Sequence, residues 1–165
     1  LSPDDIPLDK SLLEVEDESL MGEGVVSYIS VNVGNPHVII LVKEIRDDVL
    51  ERLGAKINMH PLFLEGANVS FVQRMSSEEI RLRTFERGVG LTEACGSAAA
   101  AAASSLVVRG KLNNTATVVQ SGGELLVSYF PEIDKFFIQG GAQLVFHGQY
   151  FGSAVGREES FLDRM

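Results

Sequence analysis

Hydrophobic and polar positions alternate over residues 25–33. Val25, Ser27, Ile29, Val31 and Val33 fall on one side, and Val26, Tyr28, Ser30 and Asn32 on the other. A period of two with many β-branched residues predicts a strand. "GNPH" (34–37) interrupts it, and "HVIILVK" (37–43) follows as a nearly continuous apolar run, the pattern of a strand buried on both faces. From Asp47 to Ile57 the spacing lengthens: Val49, Leu53 and Ile57 recur every fourth residue, behind Asp47 and Asp48 placed to cap a helix. "NVSFVQRM" (68–75) and "EIRLRTF" (79–85) predict a strand pair around Ser76 and Ser77. Further strands are expected at "TATVVQ" (115–120), "ELLVSYF" (124–130), "KFFIQ" (135–139) and "QLVFHGQYF" (143–151), with "SGG" (121–123) as a turn. Residues 1–23 are acidic and irregular, a connecting segment, and 153–165 form a polar tail.

One segment departs from the strand pattern. Ala98 to Ala103 run into Leu106, Val107 and Val108, with no charged residue until Arg109. A helix apolar on every side has to be buried, and alanine lets neighbouring strands approach it closely. Gly110 is placed to end it with a left-handed cap. The pattern predicts an α+β fold: a curved, mainly antiparallel sheet wrapped around one central buried helix.

Composition narrows the partners. With 165 residues and 45% hydrophobic content, the chain can bury a sizeable core in one domain, or in one domain plus a piece of another. Its 23 acidic against 14 basic residues leave a net charge of −9, with no basic stripe to bind nucleic acid. One cysteine allows no internal disulfide, which suits a reducing compartment. No apolar run approaches the roughly 20 residues of a membrane span, and no secretory leader is seen. The expectation is a cytoplasmic protein away from membranes.

That cysteine opens the buried helix: "ERGVGLTEACGSAAAAAA" (86–103) sets Cys95, Gly96 and Ser97 where the helix begins. The first N–H groups of a helix lack intrahelical partners and sit at the positive end of its dipole. A substrate carboxylate can dock on the Gly96 and Ser97 amides, and a thiol in the same field is held toward its thiolate form. A base beside a bound carboxylate is what removal of an α-proton needs. The competing reading is a small buried hydrophobe, the usual state of a free cysteine. Glu86 and Arg87 can clasp the two charges of an amino-acid end, or form an exposed pair at a strand end. Asn35 and Asn68 stand beside turns, where asparagine is most often a turn former. His37 opens an apolar strand, where a histidine is more often structural; His60 and His147 are read as structural. Gly88, Gly90 and Gly96 match no phosphate loop, and no ligand spacing suggests a metal.

In order and spacing, "VGNPHVIILV" (33–42), "HPLFLEGANVSFV" (60–72) and "RLRTFERGVGLTEACGSAAAAAA" (81–103) resemble the second half of the diaminopimelate epimerase family. The likeness runs from about residue 24 to about 151. It implies a two-lobed fold that epimerises LL- and meso-diaminopimelate, in lysine and peptidoglycan biosynthesis, without pyridoxal phosphate, metal or other cofactor. In that family two cysteines face each other across the substrate α-carbon, one as thiolate base and one as thiol acid. Cys95 matches the cysteine of the second lobe. Gly96 and Ser97 match the amides that receive the carboxylate at the reacting centre. Asn35, Asn68, Glu86 and Arg87 match residues that hold the distal amino-acid end, and His37 and Glu86 match groups that tune the acidity of the cysteines.

Two departures stand out: Leu91 replaces an acid in "GVGLT", and Ala98 replaces a glycine in "GSAAA". No candidate for the partner cysteine exists in this chain. The resemblance therefore implies the C-terminal lobe (24–140) of a longer enzyme, folded but inactive alone. Residues 141–152 would be a strand crossing to the missing N-terminal lobe, and exposed in an isolated lobe they would favour a homodimer. Two other readings stay open: a related racemase with a different amino-acid substrate, and a non-catalytic binding or assembly module.

Overall fold

A computed structural model of the protein describes residues 25–59, 66–133 and 135–149. The segments read as connector (1–23) and tail (153–165), and also His60, lie outside those residues. In chain order the elements are β1 (Val25–Asn32), β2 (Pro36–Val42), α1 (Asp47–Asn58), β3 (Asn68–Arg74), β4 (Glu79–Glu86) and β5 (Gly90–Thr92). They continue with α2 (Gly96–Val108), β6 (Thr115–Gln120), β7 (Gly123–Phe130) and β8 (Lys135–Gln139). The eight strands of the described residues form one sheet in the order β1-β2-β3-β4-β6-β7-β8, with β5 paired to β4.

The fold is α+β, and the sheet is mainly antiparallel. Two parallel pairs, β2 with β3 and β4 with β6, are the exceptions. Each is joined by a helix, as parallel neighbours require. β2 and β4 run in opposite senses while both connections step the same way across the sheet. Right-handed crossovers then place the two helices on opposite faces, and the core divides accordingly. On one face α2 packs against β1, β2, β3, β4, β6, β7 and β8, so the sheet curls around it. Ala98, Ala99, Ala101, Ala102, Ala103 and Leu106 bury there against Ile39, Val72, Leu82 and Val118. On the other face Leu50, Leu53 and Ile57 of α1 cover Val38, Ile40, Val69 and Phe71.

Alanine is what allows this closeness on the α2 side, and glycine on the α1 side. A Cβ at Gly54 would stand 2.7 Å from Phe85 Cβ. The end of α2 follows its glycine: Gly110, at φ +65°, donates to the Val107 carbonyl at 2.9 Å and Lys111 to the Leu106 carbonyl at 2.8 Å. That pair of bonds is a Schellman cap.

Three details differ from the sequence pattern. The N-cap of α1 is Arg46, with no side-chain cap bond. The carboxylates expected to cap it are drawn to arginines instead, Asp48 to Arg46 at 2.9 Å and Asp47 to Arg83 at 3.2 Å. β5 has only three residues, too few to show a period. The strand expected over 143–151 is absent from its described part: residues 140–149 form no strand. A strand needs a partner for its backbone groups. This segment leaves the sheet beyond β8, with Leu144, Val145 and Phe146 each 82–85% exposed.

Candidate active site

Cys95 is the N-cap of α2, extended at φ −144° and ψ 113°. The first helical bond runs from Ala99 N–H to the Cys95 carbonyl at 3.0 Å. The Gly96 and Ser97 N–H groups thus open the helix without intrahelical acceptors. The thiol sulfur lies 3.4 Å from Ser97 Oγ, and the side chain packs half-buried against the α2 cluster. Gly96 is exposed, with open space where a Cβ would stand.

The β6–β7 hairpin holds the approach to this thiol. Cys95 N–H donates to Gln120 Oε1 at 2.8 Å, and Gly122 N–H donates to the Glu93 carbonyl at 2.7 Å. A Cβ on Gly122 would come within 3.1 Å of Ala94 Cβ, so hairpin and loop are in close contact. Arg83 ties the two together from the α1 side: its Nη1 donates to the Thr92 carbonyl at 3.2 Å and to Ser121 Oγ at 2.7 Å.

A second group forms a row across the sheet. His37 pairs with Asn68. One step beyond the Val69–Phe85 pair, Asn68 lies opposite Glu86, which in turn pairs with Gly90. Alternation puts His37 on the same face as Ile39, and Glu86 on the same face as Ile80 and Leu82, all members of the α2 cluster. His37 Nε2 is 3.1 Å from Asn35 Oδ1. Asn68 accepts the Arg87 N–H at 3.0 Å and donates to the Pro36 carbonyl at 3.4 Å. Glu86 accepts the Thr92 hydroxyl at 2.7 Å. Arg87 is exposed, and its stem passes over Gly66, where a Cβ would meet Arg87 Cδ at 3.1 Å. Thr92 also links the two groups, because only three peptide steps separate it from Cys95, a Cα span of at most about 11 Å.

His37 is 1% exposed. Burial lowers its pKa from 6.5 to about 4, and the Glu86 charge pulls it back only in part. The imidazole is therefore neutral near pH 7. Asn35 Oδ1 can only accept, so the ring proton sits on Nε2, and Nδ1 is a buried lone pair without a partner among the described residues. Whatever His37 does to its surroundings at neutral pH, it does as a dipole and not as a cation.

The structure thus gathers Asn35, His37, Asn68, Glu86 and Arg87 into one row, and Cys95, Gly96 and Ser97 at the helix mouth. Neither Asn35 nor Asn68 spends its side chain on a turn; at the bend over 33–35 the side-chain bond is made by Asn32, whose Oδ1 accepts Gly34 N–H at 2.9 Å. Leu91 points away, packing against the α1 cluster, while Ala98 is fully buried in the α2 cluster. His147 is exposed beyond β8. Two further residues join the site, Thr92 and Gln120. Gln120 had a readable signal: it continues the inward positions Ala116 and Val118 with a polar side chain. Thr92, in the shortest strand, had none. Among the described residues no group of His, Cys, Asp or Glu could hold a metal ion, and no helix is long and apolar enough to cross a membrane.

A curled α+β lobe with a lone thiol at the mouth of its central helix is the class of protein that fold and site define. Its architecture is similar to a Bacillus anthracis phenazine biosynthesis protein of the PhzF family, with a TM-score of 0.50 and 24% identity over 70% of this chain and 38% of that one. At that identity the likeness is one of fold alone. The sequence goes further, and the chain belongs to the diaminopimelate epimerase family, whose profile matches residues 29–145. It is 41% identical to the diaminopimelate epimerase of Parabacteroides distasonis over 118 residues, 72% of this chain and 44% of that protein. With that of Heliobacterium modesticaldum the identity is 36% over 135 residues, 82% of this chain and 48% of that protein. The chain thus spans less than half the length of these curated relatives.

Proposed function

We propose that this chain is the C-terminal, thiol-bearing lobe of an epimerase that interconverts LL- and meso-diaminopimelate in lysine biosynthesis. The observation that carries the reading is Cys95 at the N-cap of α2, beside open amides and three residues from the polar row. The substrate carboxylate docks on the Gly96 and Ser97 N–H groups, where the helix dipole favours negative charge. This draws charge from the α-carbon and makes its proton easier to remove. Cys95 takes that proton as a thiolate, or delivers one as a thiol, depending on the direction of turnover. A second thiol on the opposite face does the complementary transfer, so one proton leaves and one arrives while the configuration inverts. Asn35, Asn68, Glu86 and Arg87 grip the distal amino-acid end, which selects a substrate with two such ends. A racemase of the same fold acting on a smaller amino acid has no use for that grip. Thiol chemistry needs no pyridoxal phosphate or metal.

One cysteine cannot stand on both faces of one carbon. The purified chain is therefore expected to leave LL-diaminopimelate unchanged on chiral chromatography. Stereoinversion by this chain, abolished in Cys95→Ser, would refute the half-enzyme reading. The same lone thiol makes the positive test simple. Iodoacetamide should alkylate Cys95 several-fold faster than a cysteine peptide at pH 7.5, and in the full-length polypeptide diaminopimelate should protect it. A sluggish, unprotected thiol favours the non-catalytic module instead.

A further inference from the structure

We propose that Gln120 is the positioning residue for the Cys95 thiol, holding it through the backbone; the proposal rests on Cys95 being a working thiol. The residue at an N-cap has its own N–H outside the helix, so its acceptor must come from elsewhere. Here it comes from 25 residues away, Gln120 Oε1 at 2.8 Å. Nothing about packing asks for a glutamine at this place. Its inward neighbours on β6 are Ala116 and Val118, and Gln120 is only 8% exposed. Its Nε2 is buried with no hydrogen-bond partner among the described residues. A half-satisfied amide in the interior is unfavourable, and an apolar side chain would fill the space better. What the amide supplies in return is one oxygen on the Cys95 N–H.

The hairpin gives that oxygen a rigid mount. Gln120 pairs with Gly123 across the turn, Gly122 is bonded to Glu93, and Arg83 ties Ser121 to Thr92. Both ends of the Gln120–Cys95 contact are therefore anchored. With its N–H fixed, Cys95 keeps the extended backbone that holds its sulfur 3.4 Å from Ser97 Oγ at the helix mouth. Released, the thiol would wander from the amides that are to bind the carboxylate next to it.

The test uses this chain, whose single cysteine reports without ambiguity. Gln120→Met keeps the volume and removes the acceptor, whereas Gln120→Glu keeps an acceptor oxygen. In Gln120→Met, with the fold checked by circular dichroism, hydrogen exchange at the Cys95 amide should quicken at least tenfold. Alkylation by iodoacetamide at pH 7.5 should slow at least fivefold. Gln120→Glu should restore amide protection to within threefold of native. If Gln120→Met does not fold, Gln120→Asn, which draws the oxygen back by one methylene, is expected to show the same two changes. An amide as protected as in the native chain overturns the proposal. So does faster exchange with alkylation unchanged or faster, which would leave Gln120 a purely structural residue. A native thiol no more reactive than a cysteine peptide would instead overturn the reading of Cys95, with amide exchange still deciding whether Gln120 holds it.

Discussion

Three side chains of the polar row were legible as residues but not as states. For His37 the sequence offered a choice between structural and functional roles; burial makes it a neutral imidazole with a pKa of about 4, and the bond to Asn35 sets its proton on Nε2. That shift has a consequence for stability. The unfolded chain takes up a proton near pH 6.5 and the folded one only near 4, so stability is full above 6.5 and falls as pH drops toward 4. The loss is about 3 kcal/mol at most. Urea titrations of the native chain should show the midpoint falling between pH 6.5 and 5, a slope that His37→Gln removes. An equal slope in both proteins would mean that the imidazole is protonated as readily inside as outside. Asn35 and Asn68 were equally ambiguous, because a turn-forming asparagine and a binding one share the same neighbours in sequence. Asn32 taking over the turn is what leaves the Asn35 side chain for His37.

At the scale of the element, the alanine run is the feature whose meaning carried through unchanged. Its apolar circumference demanded burial, and Ala98, Ala99 and Ala101 to Ala103 are fully enclosed by the curled sheet. The same enclosure makes α2 intolerant of bulk. Ala102→Leu should lower stability by about 1–3 kcal/mol through forced displacement of the strands around it, read as a lower urea midpoint at unchanged slope. A native midpoint would show that the sheet has room the close packing does not suggest. The mouth of the helix was legible too, since Cys95, Gly96 and Ser97 at the start of an alanine run are a local signal. The support behind it was not. Gln120 reaches Cys95 only because β6 returns parallel to β4, and no local pattern announces that return.

On the whole molecule, α1 covers only one end of the sheet's outer face. Toward β8 no helix covers that face among the described residues: Leu126, Phe130, Ile133 and Phe137 line an open cleft of about 290 Å³. Leu144, Val145 and Phe146 extend beyond it into solvent. Exposed apolar surface next to a strand edge that is unpaired among the described residues promotes association between chains. Light scattering should show a mass that rises with concentration, and Phe137→Glu combined with Val145→Glu should hold the protein nearer to a monomer. A strictly monomeric native chain at high concentration would count against this view of the surface. The strand read over 143–151 belongs to the same problem: its pattern is that of a strand, but among residues 140–149 no partner completes it.

The chain alone specified what local chemistry dictates. Strand periods, a helix that must be buried, the glycine that ends it and the thiol that begins it all follow from side-chain size, polarity and backbone freedom over a few neighbouring residues. Family membership was legible for the same reason, as three motifs in order. What waited on the folded arrangement were relations between residues far apart in sequence. These are the two parallel crossovers that set the helices on opposite faces, the charge state of His37, the facing away of Leu91, and the bond from Gln120 to Cys95. Burial and long-range pairing are properties of a surface closed by many segments at once, and no window of sequence contains them.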